Sequence, residues 1–158
     1  MNHRVQGQYC QRYAGNPTSS LISYLAPTQD ELRRTQRQRR AAVPPAARAD
    51  AAKAAAALIE MLPPWAAFRR LGLYLPAAVE FDVLPIAERA RLRGMDIYLP
   101  VIEETRLSFA QWAPNADLLP NRYGIPEPGP QAQRMALSEL DLVLVPLVGW
   151  DRRGGRLG

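Results

Sequence analysis

The fold is decided by residues 71–102, whose sequence is LGLYLPAAVEFDVLPIAERARLRGMDIYLPVI. Apolar runs at residues 71–75 and 96–102 predict two strands. Between them, residues 83–93 have a helical pattern, and Asp82 stands where it can cap that helix. A strand, a helix and a strand in this order predict a parallel, right-handed crossover.

Two further helices are expected before this unit. Residues 29–42 have a helical pattern, and the alanine-rich segment 46–61 has very high helix propensity and is followed by two prolines. Residues 1–28 are polar and lack a sustained period, so we expect a flexible N-terminal extension ahead of a single domain at residues 29–158.

The segments after the crossover predict more strands. Residues 106–112 fit a short strand, and residues 141–146 form a continuous apolar run of the kind buried on both faces. Residues 114–133 contain several turn signals and are predicted to be a loop. The expected class is α/β, a Rossmann-like three-layer fold with a mainly parallel sheet and a helical N-terminal region.

Composition indicates a soluble domain. The chain has 158 residues, of which 47% are apolar, so one domain can bury a sizeable core. No stretch of about 18 apolar residues is free of charge. We therefore expect a cytoplasmic protein without a membrane partner, and the single Cys10 excludes an internal disulfide.

The positive charge is concentrated in two places. Of the formal net charge of +5, residues 31–40 supply +4 and residues 151–158 supply +2, which leaves −1 for the rest. Two local clusters fit the two halves of an anion site better than a basic nucleic-acid surface. We expect no nucleic-acid partner, although an RNA-binding module that uses the first helix stays open as an alternative.

The first cluster contains Arg33, Arg37 and Arg40, whose spacing puts three guanidinium groups on one side of a helix. A guanidinium group suits phosphate because its planar fork donates two parallel hydrogen bonds and keeps its charge. From the spacing alone, a solvated helix face is the more common explanation.

Two acidic residues are candidates for a binding site or for loop structure. Glu80 follows the first predicted strand, where open α/β sheets bind ligands, although an ordinary loop carboxylate fits equally well. Glu127 is expected to hold its proline-rich loop by accepting backbone hydrogen bonds. The tryptophans Trp65, Trp112 and Trp150 are interpreted as packing residues.

The second basic cluster lies in a glycine-rich tail, GGRLG at residues 154–158, which follows the predicted strand. Backbone N–H groups of such a turn can point at phosphate. Arg156 is the side chain expected to face the phosphates.

Taken together, these segments resemble the 5-formyltetrahydrofolate cyclo-ligase family, also called methenyltetrahydrofolate synthetases. Leu32 and Arg33 match the family's Lys-x-x-Leu-Arg, in which Gln29 replaces the lysine. Asp141, Pro146 and Asp151 match the family's Leu-Asp-Leu-x-x-x-Pro-Gly-x-x-Phe-Asp strand, and Gly154, Arg156, Leu157 and Gly158 match the start of the ATP loop that follows it.

The resemblance implies ATP-dependent cyclisation of 5-formyltetrahydrofolate to 5,10-methenyltetrahydrofolate, with release of ADP and phosphate. It implies Mg²⁺ as well as ATP, but it carries over no metal ligand and no catalytic residue. By the same resemblance, Leu75 and Glu80 bind the folate substrate, and ATP is bound by Arg33, Arg156, Leu157 and Gly158.

The tail stops before the remaining glycines, the tyrosines and the final aspartate of the family's loop. We therefore expect a C-terminally truncated ligase whose catalysis is impaired, and we expect a monomer. The alternative is a non-catalytic folate-binding remnant that acts as a binding or interaction protein. A sugar-phosphate isomerase of similar architecture has no motif in its favour.

Overall fold

A computed structural model of the chain describes residues 27–103 and 106–158. The extension predicted at residues 1–28 lies outside the described residues, apart from its last two. The helices are α1 (Gln29–Ala41), α2 (Pro45–Ile59) and α3 (Leu84–Leu92), with short 3₁₀ turns at Pro63–Ala67 and Leu137–Glu139. The strands are β1 (Arg70–Gly72), β2 (Asp96–Glu103), β3 (Arg106–Gln111), β4 (Leu118–Pro120), β5 (Pro126–Pro128), β6 (Arg134–Met135), β7 (Leu142–Val143), β8 (Gly149–Trp150) and β9 (Arg156–Leu157).

The central sheet has five strands in the order β6-β3-β2-β1-β7. Strand β1 pairs in parallel with both β2 and β7, while β3 is antiparallel to β2 and to β6. Within this sheet β3 therefore runs against the other strands. The α/β class, the mainly parallel sheet and the β1-α3-β2 crossover are confirmed.

The main core lies between one face of the sheet and the helices α2 and α3. The register sets Leu71 beside Ile97 and Leu142, so these side chains share that face. Small side chains let the helices approach closely: Ala56 of α2 and Ala90 of α3 are fully buried in the same cluster. Trp65 belongs to the same cluster and is 1% exposed.

The opposite face of the sheet carries a smaller cluster of Tyr98, Phe109 and Met135. Gly72 lies in the middle of this face, where an added Cβ would be 2.8 Å from the Leu140 side chain and 3.2 Å from Phe109. Among the described residues, this cluster contains no helix residue.

Two sequence predictions about local structure are wrong. The predicted loop at residues 114–133 contains a β4–β5 hairpin in which Leu118 pairs with Pro128 and Pro120 with Pro126. These prolines indicated a loop, but a two-stranded ribbon has free edges at which a missing N–H group costs little. The predicted strand at 141–146 is limited to Leu142–Val143, and both residues are only half-buried.

Within residues 27–103 and 106–158, no helix is both long and apolar enough to cross a bilayer.

Candidate functional site

Helix α1 begins with a capping box. The side-chain oxygen of Thr28 accepts a hydrogen bond from the Glu31 backbone N–H at 3.2 Å, and Glu31 Oε2 accepts one from the Thr28 backbone at 2.8 Å. The hydrogen bonds from the Thr28 backbone and hydroxyl hold the pKa of Glu31 below its usual value. This cap fixes the first helical turn and therefore the position of the side chains that follow it.

Arg33, one turn later, connects α1 to the tail. Its Nε donates to the backbone oxygen of Gly158 at 2.7 Å across 125 positions of sequence. Its two other guanidinium nitrogens donate to Asp30 at 2.8 Å and to Gln29 at 3.4 Å. The two segments predicted to bind phosphate are therefore brought together, and Gln29, which stands in place of the family lysine, faces the same guanidinium group.

A second arginine of α1, Arg40, contacts the chain just before strand β8. Arg40 Nη1 donates to the Leu147 backbone oxygen at 3.2 Å, whereas Arg37 is exposed. None of the described residues of α1 is buried. Helix α1 is therefore positioned by polar contacts of Arg33 to the tail and of Arg40 to Leu147, rather than by a packed apolar face.

The tail, residues 154–158, belongs to a β8–β9 hairpin that Asp151 organises. The Asp151 carboxylate accepts hydrogen bonds from the backbone N–H groups of Arg153 at 2.8 Å and Gly155 at 2.9 Å. These bonds, with the larger effect from Gly155, hold the pKa of Asp151 below its usual value. Gly154 has a φ of +81°, and a Cβ at Gly155 would be 2.7 Å from the Asp151 carboxylate, so both turn positions favour glycine.

A cleft of about 610 Å³ lies between α1 and this hairpin. Helix α1 contributes one wall, and the hairpin strands contribute the other, including Arg156 and Leu157. The Arg33–Gly158 hydrogen bond joins the same two elements. Of the predicted ATP residues, the structure therefore assembles Arg33 with Gly158, and places Arg156 and Leu157 in the adjoining cleft.

Glu80 lies in a second, smaller cleft of about 290 Å³ between the start of α2 and residues 76–82. Its Oε2 accepts a hydrogen bond from the Ala77 backbone at 3.0 Å, which closes a tight turn. Leu75 instead packs half-buried against the main core, outside the residues that line this cleft. The two predicted folate residues are close in sequence, but they face different surroundings.

Tyr74 is a residue of this region that sequence reasoning missed. Its hydroxyl donates to the Phe81 backbone oxygen at 2.9 Å. Burial raises the pKa of Tyr74, and the charge of Glu80 adds to the rise, while Arg40 opposes it. Tyr74 therefore lies within electrostatic range of both Glu80 and an α1 arginine. In the sequence, Tyr74 is only one member of the apolar run at residues 71–75.

The remaining acidic candidate has a structural role. Glu127 Oε1 accepts hydrogen bonds from the Asn121 side chain at 2.7 Å and the Ile102 backbone at 3.2 Å. It thereby ties the β4–β5 hairpin to the end of β2, as expected. Within the described ranges, no three His, Cys, Asp or Glu side chains come together as a metal-ligand set.

Comparison with known proteins decides the family. A sequence model of the 5-formyltetrahydrofolate cyclo-ligase family matches residues 26–158. This chain belongs to that family. The 5-formyltetrahydrofolate cyclo-ligase of Escherichia coli K12 is 32% identical over 126 residues, which cover 77% of this chain and 69% of the relative. The family predicted from the sequence, and with it the cyclo-ligase class of enzyme, is confirmed.

Solved structures of cyclo-ligase relatives have the same fold. The NMR structure of Aquifex aeolicus 5,10-methenyltetrahydrofolate synthetase superposes with a TM-score of 0.73 at 26% identity, and covers 82% of this chain and 66% of its own. The Mycoplasma pneumoniae 5,10-methenyltetrahydrofolate synthetase has a TM-score of 0.61 at 21% identity, with 84% and 71% covered, and supports the fold alone. The chain thus spans about two thirds of the length of the relatives it matches.

Proposed function

We propose that this chain catalyses the ATP-dependent closure of 5-formyltetrahydrofolate to 5,10-methenyltetrahydrofolate, with release of ADP and phosphate. The observation that carries the proposal is the hydrogen bond of 2.7 Å from Arg33 to Gly158. It joins the two arginine-bearing segments of the chain into one candidate anion site.

ATP is assigned to the cleft between α1 and the β8–β9 hairpin, with Arg33 and Arg156 as phosphate ligands and the backbone at Leu157 and Gly158 beside them. The partners that Arg33 now holds are weak competitors for phosphate. Gly158 offers one oxygen atom to Arg33 Nε, and the Asp30 side chain is 92% exposed, so solvent screens that ion pair. A phosphate group carries more charge and accepts bidentate hydrogen bonds, so it can displace both.

The folate is assigned to the Glu80 cleft. Glu80 Oε2 is engaged by the Ala77 backbone, but Oε1 has no hydrogen-bond partner among the described residues and can accept one from a pterin N–H. Leu75, which packs against the main core, is proposed to form the wall of the pterin site that faces the core. Tyr74 lies within electrostatic range of Glu80 in this cleft and of Arg40 on α1, which supports a single reaction centre that spans both clefts.

The proposed reaction has two steps. The formyl oxygen attacks the γ-phosphorus of ATP and ADP leaves; N10 then attacks the activated formyl carbon, loses its proton and expels phosphate. Both steps depend on alignment of the reactants and neutralisation of phosphate charge. Arginine side chains and backbone N–H groups supply these effects, and the chain's one histidine, His3, lies in the N-terminal segment outside the described residues.

Mg²⁺ is proposed to enter as the cation of the ATP complex. The described residues offer no cluster of three candidate ligands, and the Asp151 carboxylate is engaged by two backbone N–H groups. Magnesium bound to nucleotides takes many of its ligands from phosphate oxygens and water. No step is therefore assigned to a protein-bound metal.

The test is to incubate the purified chain with 5-formyltetrahydrofolate, ATP and Mg²⁺. The measured quantities are the formation of methenyltetrahydrofolate and the release of ADP. We expect Arg33→Met and Arg156→Met to raise KM for ATP at least about tenfold, the loss of one charge-assisted contact. Arg34→Met and Arg152→Met are matched controls on exposed positions of the same elements and should change KM little.

Absence of product from the wild-type chain would refute the ligase proposal. Calorimetry would then separate the alternatives, because a folate-binding protein without catalysis should bind 5-formyltetrahydrofolate and show little affinity for ATP. Equal effects of the site variants and their controls would refute the assignment of the phosphate site.

A further inference from the structure

Three residues of α1 face the rest of the protein and form one stripe along the helix. Arg33, Gln36 and Arg40 are half-buried, whereas every other residue of α1 is exposed. Their spacing of three and four residues places them on one side of the helix. The two arginines stand two turns apart, about 10 Å along the axis. They contact different segments near the end of the chain, Arg33 at Gly158 and Arg40 at Leu147.

The Arg40 guanidinium group has no counter-charge among the described residues. Arg33 pairs with Asp30 at 2.8 Å, but Arg40 makes no ion pair with any described carboxylate. Its Nη1 donates to the neutral Leu147 backbone oxygen at 3.2 Å. Its Nε is buried without a hydrogen-bond partner in the described part of the chain, and Nη2 makes no hydrogen bond there either. A partly buried charge is costly unless it is paired, so this group is suited to an anionic ligand.

Arg40 lies at the edge of the sheet where α/β proteins bind ligands. Leu147 follows β7 and Tyr74 follows β1, and these paired strands run in parallel, so both segments leave the same edge. Burial raises the pKa of Tyr74, the charge of Glu80 adds to the rise, and the charge of Arg40 opposes it. Arg40 therefore lies within electrostatic range of the same phenol as Glu80 of the folate cleft.

The order of the two arginines along α1 gives the bound ATP a direction. Arg33 contacts the tail, to which ATP is assigned, and Arg40 is the arginine linked to the folate side. The atom of ATP that the formyl oxygen attacks is the γ-phosphorus, so the γ-phosphate has to lie at the folate end.

We propose that Arg40 binds the γ-phosphate of ATP and neutralises its charge during transfer, while Arg33 holds the phosphates nearer the nucleoside. The proposal rests on the proposed function, because it adopts the ATP and folate sites assigned there. It adds the side chain that contacts the transferred group itself.

The chemistry of the transfer step requires such a group. The bond between the formyl oxygen and the γ-phosphorus forms while the bond from phosphorus to the bridging oxygen breaks, and its electron pair leaves with ADP. Negative charge is spread over the three outer oxygens of the transferred phosphoryl group. A guanidinium group neutralises it because its planar fork donates two hydrogen bonds and keeps its charge. Arg40 has only to exchange a neutral backbone oxygen for phosphate.

The first experiment compares ATP with ADP, because only ATP has a γ-phosphate. Calorimetry measures equilibrium binding of each nucleotide to the wild-type chain and to R40M, R33M and R39M. Arg39 is the matched control, since it is exposed on the same helical turn as Arg40. R40M should bind ATP about tenfold more weakly than wild type and ADP equally well, which is the loss of one charge-assisted hydrogen bond. R33M should weaken both nucleotides, and R39M should weaken neither.

Turnover supplies a second readout. At saturating ATP, R40M should lower kcat about a hundredfold, because the contact is needed where charge is transferred. R40K keeps the charge but lacks the planar fork, so it should restore part of the rate. KM for 5-formyltetrahydrofolate should stay unchanged. Since α1 has no buried residue, R40M should unfold at nearly the wild-type denaturant midpoint, which separates lost binding from lost folding.

Four results would overturn the γ-phosphate assignment: an unchanged preference for ATP over ADP in R40M, equal losses for the two nucleotides, an unchanged kcat, or a wild-type chain that does not prefer ATP to ADP. The first three leave the ligase proposal in place. Conversely, loss of the ATP preference in R40M, in a chain that shows no turnover of 5-formyltetrahydrofolate, would support the assignment and reject cyclisation.

Discussion

Two regions of the molecule are held together by different forces. The first is the sheet with the helices α2 and α3, and the second is α1 with the β8–β9 hairpin. The first region buries Trp65, Leu71, Ile97 and their neighbours almost completely. In the second, none of the described α1 residues is buried, and the hairpin is exposed along residues 150–156. Burial of apolar area holds the first region, and hydrogen bonds from arginine to backbone oxygens hold the second.

The magnitudes of these forces differ. Complete burial of a large apolar side chain contributes about 1.5–3 kcal/mol, whereas a hydrogen bond near the surface contributes roughly 1 kcal/mol. We therefore expect the sheet core to govern global unfolding and the α1–hairpin pair to open at much lower cost. The residues assigned to ATP lie in the region of lower stability, where a ligand can add the missing contacts.

The largest expected effect comes from the two tryptophans that represent the two regions. Trp65→Ala should lower the free energy of unfolding by about 3–5 kcal/mol, because it leaves a cavity in the core. Trp150→Ala should change it by less than about 0.5 kcal/mol, because the residue is mostly exposed. Denaturant titration of both variants measures these free energies of unfolding. Similar losses in the two variants would contradict the difference between the regions.

The core was largely predictable from the sequence, and the reasons are local. The alanine-rich segment required a helix, and α2 follows it within two residues at each end. The apolar runs around α3 became β1 and β2 because a crossover buries both. The β4–β5 hairpin was missed because its ladder includes Pro126 and Pro128, and prolines usually mark loops.

An intermediate effect is expected at the junction of β1 and β7, which belongs to the core but lies at its surface. Asp141 Oδ2 accepts hydrogen bonds from the backbone N–H groups of Arg69 at 2.7 Å and Arg70 at 2.8 Å. Asp141→Asn should cost about 1 kcal/mol, since solvent screens this exposed group. Asp117→Asn, on an exposed loop, is the control and should cost little.

The difference in the free energy of unfolding between wild type and Asp141→Asn should depend on pH. The backbone hydrogen bonds hold the pKa of Asp141 below its ordinary value of 3.8. A depressed pKa means that the stabilisation is fully present above the unfolded pKa and is lost as the pH falls through the folded pKa. The gap between wild type and Asp141→Asn should therefore be constant near pH 6 and shrink below about pH 4. A gap that stays constant as the pH falls below this range would contradict the hydrogen-bond account.

The site was less predictable than the core because it depends on contacts between distant segments. The arginine spacing on α1 predicted three guanidinium groups on one side of the helix, but it could not show that Arg33 meets Gly158 or that Arg40 meets Leu147. The interpretation of Trp150 as a packing residue is wrong, because this residue is 74% exposed on the β8–β9 hairpin. Residue types gave the candidates, and tertiary contacts selected among them.

The smallest effect on global stability is expected at the start of α1. Thr28→Ala removes one half of the capping box, which is worth about 1 kcal/mol to the helix. Because α1 contributes little burial, the free energy of global unfolding should scarcely change. Amide hydrogen exchange in α1 should instead accelerate about fivefold. A full loss of 1 kcal/mol in global stability would show that α1 is part of the core.

The central claim is that α1 and the β8–β9 hairpin form one nucleotide site that the core supports without taking part. Hydrogen exchange of the whole chain, followed by mass spectrometry with and without ATP, tests it most directly. We predict that ATP slows exchange in residues 29–41 and 149–157 together and leaves residues 45–59 unchanged. Protection of only one of the two segments, or protection centred on α2, would contradict the claim.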